Sequence, residues 1–319
     1  MLWYFIIFIS ACFLLAWLSS RLVNSLVQVA KYLRWREFII AFFVMAFAAS
    51  LPNLFVDLNA ALHHLPELAF GDIIGGNLVD LTLVLAIAVF FSKKGLSSKS
   101  DVVQKSASVT AIAAVLPLLL IIDNKLDRID GVILMLAFVF YSLWLFSKKE
   151  RFKKVYKNHT APATIEFKSF FGHIVKIIIF LILLFFASGM VVGSAQFFSY
   201  NLGISIGLVG ILIVGLGNCF PELYFSVISA REEENWLVLG DLMGSVIIAS
   251  TLVLGIIAFV SPFEVKNFSP FLIARIFLIV VATVSLVFIK SGKKVTKREA
   301  AILLFVYIAF LLAEVFIKF

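Results

Sequence analysis

The chain has 319 residues, of which 62% are hydrophobic and 14% are charged, and its mean hydropathy is +1.09. A soluble domain is closer to half apolar and a quarter charged, so this composition excludes an ordinary soluble protein. Apolar runs long enough to cross a bilayer of about 30 Å recur along the whole chain. The net charge of +8 lies mainly in the loops between these runs, so we expect a lipid bilayer and no nucleic acid as a partner.

Ten apolar segments predict ten transmembrane helices. The N-terminal segment has no basic region before it and no clear cleavage site after it, so it predicts a spanning helix rather than a signal peptide. The predicted spans are residues 2–30, 37–62, 67–91, 103–122, 129–147, 172–198, 204–230, 236–260, 269–289 and 299–317. The predicted fold class is therefore an all-α polytopic membrane protein with about ten transmembrane helices.

Lysine and arginine predict how the chain is oriented. A polar linker, residues 148–169, separates the first five spans from the last five. The linker and the loops that alternate with it hold 20 of the 27 basic residues of the chain. Basic loops stay on the cytoplasmic side, so we expect an integral protein of the cell membrane with a cytoplasmic linker and both termini outside.

The two halves of the chain predict an internal repeat. Pro52 and Pro221 are 169 residues apart, and at that spacing residues 52–92 match residues 221–261 without a gap at 14 of 41 positions. Roughly one position in ten would match through composition alone. Five spans per copy is an odd number, so the second copy must lie inverted in the membrane. The predicted units are a first repeat over 1–147, the linker over 148–169 and a second, inverted repeat over 170–319; residues 169 apart are symmetry mates.

Each copy has a proline within an apolar segment, and each proline predicts a broken helix. Pro52 lacks the N–H that would bond the carbonyl of Ala48, and Pro221 removes the same donor from the carbonyl of Gly217. Irregular backbone at membrane depth is tolerated only against protein or a wet cavity. Carbonyls beside carboxylates are hard oxygen ligands, which suit Na⁺ or Ca²⁺. A packing kink is the alternative interpretation of either proline alone.

The sequence around the prolines resembles the sodium/calcium exchanger branch of the cation/calcium antiporter superfamily. The first copy reads AASLPNL and GDIIGGNLVD, and the second reads GNCFPEL and GDLMGSVIIA. Each family repeat carries a block similar to G-T-S-x-P-E-L, followed by G-N-x-x-G-S-N-x-x-(N/D). The openings of the fifth and tenth predicted spans, LDRIDGVILMLAFVFY and TKREAAILLFVYIAF, also resemble the family. The resemblance covers nearly the whole chain.

The resemblance implies four cation pockets around one carboxylate from each proline motif. Carried over position by position, the second-copy carboxylate is Glu222, whereas Asn53 occupies the first-copy position. The polar residue of the third span is Asp80, and its symmetry mate, usually acidic, is Ala249. We therefore expect Glu222 and Asp80 to be the principal cation ligands.

Two sodium pockets of the family can be compared with this sequence. One corresponds to four ligands that look intact: the Ala46 carbonyl, Ser50, Ser245 and Glu222. The mirror pocket has lost its hydroxyls and its acid, because its positions are the Gly215 carbonyl, Cys219, Gly76 and Asn53. A family threonine position is filled by Asn218 in the second copy and is left empty by Ala49 in the first.

Three further acids within the apolar segments have more than one interpretation. Asp57 lies four residues after Asn53 on the same helical face, so it could supply the missing acid, form a local pair or face water. Asp72 and Asp241 are symmetry mates and are either acids of the ion pathway or caps at helix starts.

Two polar clusters are predicted to be solvated loops. His63 and His64 lie near Glu67 in a short outer loop, where a metal site is the alternative. Residues 232–234 are three consecutive glutamates in a predicted cytoplasmic loop.

The predicted function is secondary active cation antiport, with exchange of Na⁺ for Ca²⁺ by alternating access. The sequence contains no nucleotide loop, zinc spacing or serine elbow, so we expect neither an enzyme nor a cofactor, only the transported Ca²⁺ and Na⁺. The alternatives are an exchanger of the same fold with H⁺, K⁺ or another cation, a channel, or a transport-inactive relative that acts as a sensor or scaffold. The oligomeric state is left open.

Overall fold

A computed structural model describes residues 1–32, 50–147, 167–265 and 269–318. Within these residues helices dominate, and the strands are short segments of two residues each. The first part of the second predicted span, including Ala46, and most of the linker lie outside the described residues.

The described helices follow the predicted spans. In the first half they are α1 Leu2–Tyr32, α2 Leu51–Leu62, α3 Pro66–Phe91, α4 Asp101–Leu120 and α5 Arg128–Ser147. In the second half they are α6 Phe167–Leu202, α7 Ile206–Arg231, α8 Asn235–Val260, α9 Ser269–Lys290 and α10 Lys297–Lys318. The largest difference from prediction is at α6, which begins before residue 172. Tyr32 of α1 stacks on Phe170 with ring centroids 4.2 Å apart, and this contact supports the additional turn.

Among the described residues, eight helices are long and apolar enough to cross a membrane. Most side chains of α3 and α8 are buried inside the protein, whereas most of those of α5 and α6 are not. The outward side chains of the peripheral helices are apolar; Phe140 is 69% exposed and Phe186 is 67% exposed. Contiguous apolar exposure of this kind suits contact with lipid. The protein is therefore an all-helical membrane protein with α3 and α8 near its centre.

Both prolines lie in the first turn of a helical segment, and α7 has the predicted break before Pro221. In α7, Cys219 leaves helical geometry with φ −82° and ψ 1°, and a second segment, Phe220–Arg231, follows. Pro221 lies in the first turn of this segment and Pro52 lies in the first turn of α2, where a proline removes no helical hydrogen bond. The Gly217 carbonyl accepts a hydrogen bond from a backbone N–H at the break, so it is not left free.

Within the described residues, π-helical turns interrupt three helices: α3 at Asp80–Val84, α7 at Gly210–Val214 and α8 at Ile248–Val253. Those of α3 and α8 occupy equivalent positions in the two copies. A π turn shifts the backbone hydrogen bonds by one residue and leaves a carbonyl without its usual partner. The Thr82 hydroxyl donates to the Leu78 carbonyl, and its symmetry mate Thr251 donates to the Ile247 carbonyl. The sequence analysis did not predict these turns.

Equivalent capping boxes begin α5 and α10. The Asp127 carboxylate accepts from the Ile129 N–H at 2.7 Å, and the Asp127 N–H donates to Asp130 at 2.9 Å. The Thr296 N–H donates to Glu299 at 2.7 Å, and the Glu299 N–H donates back to the Thr296 hydroxyl at 3.4 Å. Backbone donors from Asp130 and Ile129 hold the pKa of Asp127 below its usual value. These contacts satisfy N–H groups that the first helical turn leaves unpaired.

Two small antiparallel sheets connect the halves of the chain. Their strands are β1 Leu96–Ser97, β2 Lys125–Leu126, β3 Phe263–Glu264 and β4 Lys294–Val295. β1 pairs with β4, with Leu96 opposite Val295, and β2 pairs with β3, with Leu126 opposite Phe263. β1 and β2 lie at opposite ends of α4, so the two sheets mark opposite faces of the molecule.

Three of the loops that were predicted to be cytoplasmic lie on one of these faces. The loop after α3 contains Lys93 and β1, and β1 pairs with β4 from the basic loop between α9 and α10. Lys93 also lies 3.9 Å from Glu233 in the loop after α7. The basic loops therefore share a face with the loop of three glutamates.

α3 and α7 approach each other closely through glycine residues. A Cβ at Gly71 would overlap the carbonyl oxygen of Gly207, and a Cβ at Gly75 would overlap that of Ile211. Gly215 packs against α3 in the same way. Only glycine permits backbones to come this close, so the contact brings the break of α7 beside the middle of α3.

Candidate functional site

Glu222 and Asp80 lie near each other in the protein interior. Glu222 follows the break of α7 and is 4% exposed, and Asp80 begins the π turn of α3 and is 2% exposed. Their carboxyl groups interact electrostatically. One oxygen of each, Glu222 Oε2 and Asp80 Oδ1, is buried without a hydrogen-bond partner. Buried carboxylates in this state need a positive partner, and their oxygens are suitable ligands for a hard cation.

Three helices meet at Asp80. The Ser245 hydroxyl of α8 and the Cys219 thiol at the break of α7 lie beside its carboxyl group. The Cys219 thiol also lies 3.6 Å from the carbonyl oxygen of Gly76. The structure therefore brings the predicted ligands Asp80 and Ser245 together. The helix break, the π turn of α3 and the middle of α8 form one site.

Three positions of the predicted mirror pocket lie close together. Gly215, Gly76 and Cys219 are in contact with one another. A thiol is a soft ligand, and a glycine has no side chain, so neither replaces a hydroxyl as a ligand for Na⁺. Asn53 is half-buried in the first turn of α2, and its Oδ1 is buried without a hydrogen-bond partner.

The first copy contributes two further predicted ligands. Ser50 is 7% exposed and directly precedes α2. Ala46 lies outside the described residues, so the contribution of its carbonyl remains a prediction.

A second carboxyl cluster joins α2, α3 and the break of α7. Asp57 is 1% exposed and Asp72 is 4% exposed, and their carboxyl groups lie beside each other. The Asn218 amide donates to Asp72 Oδ2 at 2.5 Å. The interpretation of Asp57 as a water-facing acid is therefore wrong, because its carboxyl is paired inside the protein.

The interpretation of Asp72 and Asp241 as helix-start caps is also wrong. α3 begins at Pro66 and α8 begins at Asn235, so each aspartate lies more than one turn inside its helix, where the backbone N–H groups already have partners. Asp241 instead interacts electrostatically with Glu222 and Asp80.

Five carboxyl groups thus lie near one another, four of them buried and that of Asp241 half-buried: Asp57, Asp72, Asp80, Glu222 and Asp241. No basic side chain in the described part of the chain forms an ion pair with them. Among the described residues, no three side chains of His, Cys, Asp or Glu converge as a metal site. A cation at this centre would therefore use carbonyl, hydroxyl or water oxygens in addition to carboxylates.

Sequence analysis missed several polar residues that build the centre. The Asn77 amide of α3 donates to the Ser250 hydroxyl of α8 at 2.7 Å and holds the two central helices together. Thr82 and Thr251, which support the π turns, also went unnoticed. The signal for the threonines was available, because they are identical symmetry mates in the repeat alignment.

The histidine cluster is a loop, as predicted. His63 and His64 are both exposed, and His64 has a φ of 59° in the turn between α2 and α3. The His63 ring Nδ1 lies 2.9 Å from the carbonyl oxygen of Asn59. This geometry belongs to a turn on the surface.

Known proteins resemble the chain over almost its whole length. A family model described as sodium/calcium exchanger protein matches residues 3–147 and 172–316. The sodium/calcium exchanger MaX1 of Methanosarcina acetivorans is 22% identical over 336 residues, which cover 94% of this chain and 95% of that protein. The inner membrane protein YrbG of Escherichia coli is 26% identical over 256 residues, which cover 79% of this chain and 78% of that protein.

The fold also resembles a solved structure. The sodium-calcium exchanger NCX_Mj, soaked with 2.5 mM Na⁺ and 0.1 mM Ca²⁺, aligns with a TM-score of 0.66 at 23% sequence identity. The alignment covers 98% of this chain and 99% of that one. At this level of identity the similarity shows a common fold.

Proposed function

The chain belongs to the sodium/calcium exchanger family, and we propose that it is a secondary active antiporter that exchanges Na⁺ for Ca²⁺. This family consists of transporters rather than enzymes. The observation that carries the proposal is the pair of buried carboxylates Glu222 and Asp80, each with an oxygen that has no hydrogen-bond partner. In a membrane interior, such acids mark a cation site.

The geometry supports a simple exchange mechanism. Ca²⁺ or Na⁺ neutralises Glu222 and Asp80, and the two ions compete because the same carboxylates serve both. The uncompensated negative charge disfavours reorientation of the empty site, since buried charge is costly. Alternating access then opens the site to one side of the membrane at a time, so that one cation leaves only as another binds.

Inverted repeats of five spans each are part of the proposal. The family model matches two segments, 3–147 and 172–316, which agree with predicted repeats at 1–147 and 170–319 around the linker 148–169. β2 and β4 occupy equivalent positions in the two copies. β2 pairs with β3 at one end of α4, whereas β4 pairs with β1 at the other end. Equivalent strands on opposite faces support an inverted second copy. We further propose the cell membrane as the location, with basic loops and linker in the cytoplasm and both termini outside.

The proposed sodium pocket contains Ser50, Ser245, Glu222 and the Ala46 carbonyl, whereas the Gly215 carbonyl belongs to its mirror. Burial of Ser50, Ser245 and Glu222 supports this set. Its mirror contains Gly76, Cys219 and Asn53, which offer fewer hard oxygens. We therefore propose that this protein binds fewer Na⁺ ions per cycle than an exchanger with both pockets complete.

A different counter-ion is the second candidate function. The observation that favours it is the same incomplete mirror pocket, because fewer sodium ligands weaken the requirement for Na⁺. Exchange of Ca²⁺ for H⁺ or K⁺ would use the same central carboxylates.

The test is ⁴⁵Ca²⁺ uptake into proteoliposomes that contain the purified protein. Outward gradients of Na⁺, K⁺ and H⁺ are imposed one at a time. We expect uptake that requires the Na⁺ gradient. Uptake driven by H⁺ or K⁺ alone would support the second candidate, uptake without any counter-ion would indicate a channel, and no uptake under any gradient would indicate a transport-inactive relative.

A further inference from the structure

The carboxyl pair Asp57–Asp72 lies outside the ligand set that the family resemblance implies around Glu222 and Asp80. Asp57 comes from α2 and Asp72 from α3, and the two carboxyl groups lie beside each other. Both are buried, at 1% and 4% exposure. The Asn218 amide donates to Asp72 Oδ2 at 2.5 Å and fixes that carboxyl beside the break of α7.

The charge of this pair has to be compensated. Two carboxylates in contact cannot both remain charged in an apolar interior, because desolvation and mutual repulsion add together. The described part of the chain provides no basic side chain that forms an ion pair with either one. Asp57 Oδ1 is buried and has no hydrogen-bond partner, so the cluster contains an oxygen that is available to a ligand.

The pair exists on one side of the pseudo-symmetric molecule only. The symmetry mate of Asp72 is Asp241, but the mate of Asp57 is Ser226. The Ser226 hydroxyl is buried and, like Asp57 Oδ1, has no hydrogen-bond partner. Equivalent positions therefore hold two acids in one half and one acid with a hydroxyl in the other. Asp57 and Ser226 are both buried, so helix packing alone does not explain why one position holds an acid and the other a hydroxyl.

We propose that Asp57 and Asp72 form a second cation site, separate from Glu222 and Asp80, which takes one Ca²⁺ ion. Two carboxylates offer up to four oxygens and a charge of −2, which matches a divalent ion whose remaining ligands are water or backbone carbonyls. Asn218 is a positioning residue for Asp72. The identity of the ion rests on the proposed exchange function, whereas the existence of the site does not.

The position of the Asp57–Asp72 site suggests how it contributes to the path of Ca²⁺ through the protein. Asp57 lies about five residues from the end of α2 and Asp72 about six from the start of α3, so each lies about 8–9 Å along its helix from the loop at 63–65. The site therefore lies between that loop and the break of α7. It would hold Ca²⁺ on the access route from this face, whereas the route from the other face has a single acid at the equivalent place.

The experiment measures equilibrium binding of ⁴⁵Ca²⁺ to purified protein in detergent. The background is the double variant Glu222→Gln/Asp80→Asn, in which the central site has lost its charge. We expect this variant to retain one Ca²⁺ ion per chain. Adding Asp57→Asn should weaken the remaining binding on the order of tenfold or more, because affinity follows the number of charged ligands. Asp72→Asn should have the same effect, and Asp57→Glu should retain binding.

Ser226→Ala in the same background is the matched control, because it alters the symmetry mate of Asp57, and binding should be unchanged. Gel filtration and thermal unfolding establish that each variant is folded. The proposal is overturned if the double variant binds no Ca²⁺ while the unmodified protein does, or if Asp57→Asn and Asp72→Asn leave binding unchanged, as a proton shared by the pair would produce. Binding does not depend on flux, so failure of Na⁺/Ca²⁺ exchange in proteoliposomes is a separate result.

Discussion

Glu222 is the acid that directly follows the break of α7, and its buried Oε2 has no hydrogen-bond partner. The change Glu222→Gln keeps the shape of the side chain and removes its charge, which a divalent cation needs more than a monovalent one. We expect initial ⁴⁵Ca²⁺ flux to fall by more than about tenfold, a loss of roughly 1.4 kcal/mol or more in the rate-limiting step. Glu232→Gln, on an exposed loop, is the control and should leave flux unchanged. Normal flux in the Glu222 variant would refute its role as a ligand.

Asp80 shares the central site with Glu222. If both carboxylates bind the same ion, Asp80→Asn should lower flux about as much as Glu222→Gln does. The double variant should be little worse than either single variant, because residues that act as one unit are not additive. The measurement is initial ⁴⁵Ca²⁺ flux in all three variants, with the exposed Asp123→Asn as the control. Losses that multiply would indicate two independent sites.

The mirror pocket contains Gly76, Cys219 and Asn53, where a complete pocket would have two hydroxyls and an acid. The triple change Asn53→Glu/Gly76→Ser/Cys219→Ser should create an additional sodium site. We expect a shallow Na⁺ dependence in the unmodified protein and a Hill coefficient up to about one unit higher in the triple variant, because this coefficient is limited by the number of sites. The measurement is initial ⁴⁵Ca²⁺ efflux against external Na⁺ at clamped membrane potential. A steep dependence in both proteins would mean that the pocket is already complete.

At the scale of elements, the starts of α5 and α10 are fixed by equivalent capping boxes. The Thr296 hydroxyl receives the Glu299 N–H at the start of α10. Thr296→Ala removes this acceptor and should lower the free energy of unfolding by about 1 kcal/mol. Thr283→Ala is the matched control, since that exposed hydroxyl only donates to the Ile279 carbonyl within α9. Chemical unfolding in detergent gives both values, and equal losses would exclude a specific capping contribution.

Irregular helical elements also explain how the carboxyl groups of the central site are positioned. The π turn at Asp80–Val84 presents Asp80 beside Ser245 and Cys219, and the break before Phe220–Arg231 places Glu222 nearby. In each case an irregular backbone segment, supported by a side-chain hydroxyl or a proline, directs a carboxyl group into the interior. Broken helices and π turns therefore cooperate in building this site.

At the scale of the whole molecule, the two small sheets make the proposed inverted topology testable. Lys125 in β2 and Lys294 in β4 are symmetry mates, and their strands lie at opposite ends of the helical bundle. Lys125→Cys should react with a membrane-impermeant maleimide added outside intact cells, whereas Lys294→Cys should react only after the membrane is opened. The native Cys12 and Cys219 are buried and give a low background. Equal labelling of both positions from outside would contradict an inverted second copy.

The sequence by itself determined those features that depend on local chemistry. Helix positions follow from apolar length, and the described helices agree with the predicted spans to within a few residues. The start of a helical segment at Pro52 and at Pro221 follows from local chemistry, because proline has no N–H and is favoured in the first helical turn. The relation between the halves is visible in residues 52–92 and 221–261 because identical side chains recur at a fixed spacing. Even the asymmetry of the two proline motifs can be read from the chain.

Only the tertiary structure decided which polar groups meet. The sequence left several interpretations open for Asp57 and Asp72, and it predicted Asn218 as a cation ligand. The contact among these three residues depends on how α2, α3 and α7 pack. The π turns arise where the central helices pack against each other, which no local propensity encodes. A buried carboxyl group takes its chemistry from neighbours far away in sequence, because desolvation and electrostatic interaction act through space rather than along the chain.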